Sequence, residues 1–237
     1  QLPAPNKRQM FTTGTRVKLS GFEQVYTEVA FSSTDQNLFS ELDNEDNNGF
    51  GIKSGFLSEN RTFEKFKDYK FNALTEFEYN AASFSFIDRL RYIEFDRDWS
   101  LQPEDTQDPG SERIFNSQVS FTKDTDHSFS YRFNLRNRGD ILSGTQHLAT
   151  LNQVIGKRFY VKNDFFKLDS DVRDLNSDWI RYTSDVSYRS KVLVPGYRVM
   201  VDRNAVRDIA SDSVVSTAMN FLEQMFYLKS NDTLPYS

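Results

Sequence analysis

Apolar and polar side chains alternate one by one over long stretches of this chain. Between Ser128 and Arg138, Phe129, Tyr131, Phe133 and Leu135 fall on one side of an extended backbone, with Ser130, Arg132, Asn134 and Arg136 on the other. A period of two marks a β-strand with one apolar and one polar face, since apolar residues on a helix recur at three and four.

The same reading runs along the rest of the sequence. Val17, Leu19, Val25, Thr27, Val29 and Phe31 alternate, with Gly21 as a kink or bulge. Residues 32–49 predict a long hairpin loop, after which Phe50, Ile52, Ser54 and Phe56 resume the pattern. Residues 70–80 set Phe71, Ala73, Thr75, Phe77 and Tyr79 against Glu76 and Glu78, and 83–99 reads as the partner strand after a turn at Asn80-Ala81-Ala82. Within 83–99 the apolar parity switches between Tyr92 and Ile93, as at a bulge. Residues 102–113, with Pro103, Pro109 and Gly110, predict a loop. Residues 115–123 and 127–138 predict a hairpin, and 139–152 a mixed stretch that either holds a turn of helix or crosses the sheet.

Beyond it, 155–162 and 179–189 read as strands, 164–175 as a loop, and Pro195-Gly196 as a turn followed by Tyr197, Val199 and Val201 in alternation. The last pattern, 213–229, fits helical and strand spacing, and its strand neighbours favour strand. The expected fold is all-β: an antiparallel meander of about ten long strands, as a barrel or an extended sheet, with a β-sandwich as the alternative. Residues 1–237 are read as one β-rich domain with a weak subdivision near 139–152.

Composition sharpens this picture. Phe 22 and Tyr 11 supply nearly all of the 15% aromatic content, which suits pleated surfaces. A net charge of −5, with both signs mixed along the chain, lacks the basic footprint of a nucleic-acid binder, so nucleic acid is not an expected partner. There is no cysteine, which removes disulfides, thiolate catalysis and Cys-ligated metal sites. No apolar run approaches the roughly 20 residues a membrane helix needs. A membrane β-barrel stays open, because alternation dilutes its lipid-facing residues.

Candidate chemistry is sparse, and no catalytic residue or bound cofactor is expected. The acidic loop places Asn44, Asp46 and Asn48 at alternating positions before Gly49, like the first half of a calcium loop, but Gly55 stands where the closing bidentate Glu belongs. Calcium is therefore a side candidate to a solvated loop. Trp99 and Trp179 are candidate stacking platforms for a glycan, against the commoner role of such rings as core or interfacial groups. His127 and His147 lie outside any nucleophile motif and read as surface histidines. Glu76 with Glu78, and Glu94, Asp96 and Asp98, offer carboxylate pairs, but Arg89, Arg91 and Arg97 among them point to ion pairing. Arg138-Gly139-Asp140 matches an adhesion tripeptide and reads by default as a β-turn.

The segments Val25-Tyr-Thr-Glu-Val-Ala-Phe-Ser-Ser, Asn37-Leu-Phe-Ser-Glu-Leu-Asp, Tyr92-Ile-Glu-Phe-Asp-Arg-Asp-Trp99 and Phe226-Tyr-Leu-Lys-Ser-Asn-Asp-Thr233 resemble stretches of large outer-membrane or cell-surface β proteins of Bacteroidetes. The resemblance is one of sequence style across most of the chain. It implies an internal section of a longer polypeptide, in keeping with an end at Leu234-Pro-Tyr-Ser237 that lacks a barrel's terminal aromatic residue. It also implies the outer membrane or surface of a Gram-negative cell, with the lipid bilayer or other envelope proteins as partners. The resulting expectation is a non-enzymatic, envelope-associated sheet with a structural or binding role. Its rival is a secreted β-sandwich module that binds carbohydrate, with calcium as a stabiliser.

Overall fold

A computed structural model describes residues 5–35, 39, 47–87, 91, 94–102, 105, 110–215 and 219–231. Its strands are β1 (Lys7–Lys18), β2 (Glu23–Asp35), β3 (Asn48–Arg61), β4 (Lys70–Asn80), β5 (Glu112–Asp124), β6 (His127–Arg138), β7 (Leu142–Ile155), β8 (Phe159–Val172), β9 (Leu175–Tyr188), β10 (Leu193–Asp208) and β11 (Met219–Ser230). All belong to one 11-stranded sheet in chain order. Every pairing is antiparallel, so the fold is the expected meander. β1 and β11 do not pair with each other, so the sheet is open and not a closed barrel. The β-sandwich alternative does not hold, because the described strands form one sheet and not two.

Registers align side chains into rows across the sheet, and the two faces differ. One face carries Phe31, Ile52, Phe77, Phe115, Phe129, Tyr131, Phe133, Phe165, Tyr182, Val201 and Leu222, which follow from the strict alternation. Its rings meet in cross-strand pairs: Phe71 and Phe121 at 5.0 Å, Phe159 and Tyr188 at 5.1 Å, Tyr197 and Phe226 at 4.5 Å between centroids. Such pairs each add stabilisation of roughly 0.2–1 kcal/mol. Much of this face is open to the surroundings: Phe11 is 64% exposed and Phe226 82%. Towards one end it turns polar, where Arg113, Asn137, Ser143, Asp171, Asn176 and Arg207 form a single row across β5 to β10.

The other face is polar and partly covered. The described parts of 81–111 do not form the strand expected over 83–99; instead they cross this face, with a 3-10 turn at Arg97–Trp99. The parity switch at Tyr92 and Ile93 lies outside the described residues. β4 pairs with β5, so this crossing is a long connection within one hairpin. Beneath it lies the only cluster of fully buried apolar side chains among the described residues: Trp99, Leu101, Ile141, Leu142, Leu168 and Val172.

Several boundaries differ from the sequence reading for physical reasons. Gly21 lies in the β1–β2 turn, where Leu19 N donates to Glu23 O at 2.8 Å, and not in a bulge within one strand. Residues 142–155 form β7, not a helical turn or a crossing, and 164–172 belong to β8 and not to a loop. Pro195-Gly196 lies inside β10, not at a turn. Pro195 precedes the first residue that pairs with β9, where a missing N–H costs no ladder bond.

Candidate functional site

Arg136 sits on the polar face of β6, opposite Gly144 of β7 and Ile114 of β5. It is 2% exposed. Its Nε donates to Glu112 at 2.8 Å and its Nη2 to Asp96 at 2.7 Å, so one guanidinium joins the sheet to the crossing segment. The same group lies 4.4 Å from the Phe95 ring centre and 6.0 Å from that of Trp99. Its buried Nη1 has no hydrogen-bond partner. Around this anchor, Gln146 Nε2 donates to the Asp98 carbonyl at 2.6 Å, and Arg173 pairs with Asp105 at 2.7 Å. Arg91 pairs with Glu78 and stands 3.6 Å from Glu112. The segment 94–101 is thus a strap, fastened by charge at Asp96 and flanked by charged anchors at Arg91 and Asp105, with the indole of Trp99 buried below it.

The carboxylate clusters singled out in the sequence are used in this way. Glu76 and Glu78 do share the polar face, but Glu76 takes Lys53 at 3.0 Å and the Tyr26 hydroxyl, while Glu78 takes Arg91. On the strap, Glu94 pairs with Arg97 at 2.6 Å and Asp96 with Arg136. Glu76, Glu78, Glu94 and Asp96 each face a cation. Arg89 lies outside the described residues.

A second recurrent device pins the two flanks of the sheet. Tyr26 of β2 lies over Gly55 of β3, where an added Cβ would come 2.5 Å from the ring, and its hydroxyl donates to Glu76 of β4. Tyr227 of β11 lies over Gly196 of β10, at 2.2 Å from such a Cβ, and donates to Asp185 of β9. Both glycines leave the space a ring needs to reach across three strands. Burial, first, and the neighbouring carboxylate, second, push both phenols above the ordinary tyrosine value.

The candidate ligand groups are not brought together. Trp99 is 2% exposed, so it is a core group and not an open stacking platform. Trp179 is half-buried; its Nε1 donates to Asp202 at 2.6 Å and the Arg181 guanidinium lies 4.4 Å from its ring centre. Asn44 and Asp46 lie outside the described residues, and Asn48 is exposed at the start of β3, opposite Ser33. Among the described residues, no group of three or more His, Asp or Glu side chains is placed to hold a metal ion. His127 pairs with Asp124 at 2.8 Å at the β5–β6 turn. His147, read as a surface residue, lies in the aromatic face of β7, with Nδ1 2.8 Å from the Tyr131 hydroxyl. Arg138-Gly139-Asp140 forms the β6–β7 turn, where Gly139 has φ of 47° and its N–H donates to Ser111 O.

Missed in the sequence is a polar row running across four strands: Glu76, Asn116, Asn134 and Gln146. It floors an open cleft of about 290 Å³ beside the strap, into which Gln118 and Arg132 also reach. Asn134 Oδ1 is buried there without a partner. The alternation on β5, β6 and β7 carried the signal, since these are the polar positions opposite the aromatic ones. No protein-family model, no curated protein and no solved structure matches the chain.

Proposed function

We propose that this chain is a non-enzymatic section of cell-envelope β-sheet, whose aromatic face meets a lipid bilayer and whose polar face, with its strap, borders an aqueous space. The observation that carries the reading is the contrast between the faces. The aromatic face extends over the whole sheet and, apart from Phe63 against Phe71 at one end, meets no other layer among the described residues. An apolar surface of that extent is a contact surface in search of an apolar medium.

The dimensions approach those of a bilayer. On β8 the outward positions Phe159, Val161 and Phe165, interrupted by Asn163, precede Lys167, Asp169 and Asp171. At about 3.3 Å per residue, the six steps of this band span roughly 20 Å along the strand, somewhat short of the belt of about 25 Å on membrane barrels. Strands of 11 to 16 residues then leave room for polar ends on both sides. The outer membrane or surface of a Gram-negative cell is the envelope layer that uses such sheets, and lipid and neighbouring envelope proteins are the partners this role requires.

The two native tryptophans make the test clean, because both lie on the polar side. Phe165→Trp places an indole on the aromatic face. In vesicles of brominated phosphatidylcholine, the Phe165→Trp variant should lose much of its added fluorescence, while Trp99 and Trp179 keep theirs. Unquenched emission from residue 165, or a monodisperse monomer without detergent, would overturn the reading.

A further inference from the structure

We propose that the free edge of β1 is a docking site for a carboxylate-bearing amphipathic β-strand that adds antiparallel to it. The inference goes beyond the lipid reading, since it rests on edge hydrogen bonding and charge and not on what the aromatic face meets.

β1 pairs on one side only, with β2. The bond from Leu19 N to Glu23 O fixes which groups are used, because in an antiparallel ladder inward-pointing residues alternate with outward-pointing ones. The odd-numbered residues of β1 therefore bond to β2. Arg8, Met10, Thr12, Gly14 and Arg16 present their N–H and C=O groups outward, a complete row of donors and acceptors that a further strand would satisfy.

The chemistry of the partner follows from the side chains along that row. β1 contains Lys7, Arg8, Arg16 and Lys18 and no acid. On the polar face, β2 sets Thr34 opposite Arg8, Tyr26 opposite Arg16 and Gln24 opposite Lys18, and none of these three cations has an ion-pair partner among the described residues. On the other face, Phe11 and Val17 are exposed. A strand with carboxylates at its polar positions and apolar residues between them matches both sides at once.

A second copy of this chain fits this edge poorly. With matching faces and nearly full overlap, two β1 strands place Arg8 opposite either Arg16 or Lys18, and like charges directly opposed are unfavourable. Strand direction adds a constraint: ten antiparallel pairings separate β1 from β11, so the two open edges run the same way. Any insert that pairs antiparallel with both must contribute an odd number of strands.

The test uses the chain in dodecylmaltoside micelles and two dye-labelled twelve-residue peptides, one alternating Leu with Glu, the other Leu with Lys. By fluorescence anisotropy the Glu peptide should bind at least about tenfold more tightly than the Lys peptide, and it should slow amide exchange at Arg8, Thr12 and Arg16. Thr12→Pro deletes an outward N–H without touching the β2 ladder, and should weaken Glu-peptide binding about tenfold with far-UV circular dichroism unchanged. Arg8→Glu combined with Lys18→Glu should shift preference towards the Lys peptide. Equal binding of both peptides, indifference to Thr12→Pro, or a dimer through β1 in the absence of peptide would each overturn the proposal.

Discussion

Arg136, itself almost without access to water, holds two carboxylates from different parts of the chain and stacks on the ring of Phe95. Truncating a buried charge leaves its partners uncompensated, so Arg136→Ala should destabilise the chain by about 3–5 kcal/mol in urea unfolding in micelles. Arg136→Lys should recover only part of this, because an ammonium cannot reproduce the fork that reaches Asp96 and Glu112 together. Tyr26 makes a different prediction. Gly55→Val would displace its ring, break the bond to Glu76 and cost roughly 1–3 kcal/mol. Its phenol should then titrate closer to the ordinary tyrosine value in an ultraviolet pH titration. The sign for the parent chain follows from the raised phenols of Tyr26 and Tyr227. A group held protonated by the fold stabilises it fully below the unfolded value of about 10, and that contribution is lost as pH climbs above it. Stability should therefore fall above pH of about 10, and fall less in Tyr227→Phe.

Among the elements, the strap depends most on contacts distant in sequence. Trp99→Ala would remove the largest side chain of the buried cluster and should cost about 3–5 kcal/mol. Limited proteolysis should then cut within 94–101 while the strands resist. The strands themselves were largely legible: β4 and the β5–β6 hairpin follow from alternation alone, with bounds close to those observed. Most of β1 was missed because Gln9, Thr13 and Thr15 dilute its apolar side, as suits an edge strand. The polar end of β8 read as a loop because Asp169 and Asp171 reach the polar row at the end of the aromatic face, where carboxylates carry no burial cost. The segment 83–99 read as a strand because Phe84 and Phe86 alternate, yet these rings cover the polar face near Gly51. Ion pairing among the local acids and arginines was visible in the sequence. The union of Asp96, Glu112 and Arg136 was not, since only the long β4–β5 connection brings them together.

For the molecule as a whole, the two faces should respond oppositely to the same change. Val161→Arg puts a charge inside the aromatic band of β8, and in vesicles it should cost roughly 2–4 kcal/mol. A substitution on the polar face such as Thr183→Arg should cost much less in the same vesicles. Equal losses at the two positions would argue against a lipid-facing side. The meander also governs how the molecule comes together. Each strand pairs only with its neighbours in the chain, so the sheet can grow hairpin by hairpin, although most contacts join residues a dozen or more positions apart. The strap is the exception. Its residues precede β5 in the chain, yet they rest on β6, β7 and β8, so its docking has to wait for strands made later. The slowest native step is thus expected to be the covering of a sheet already built.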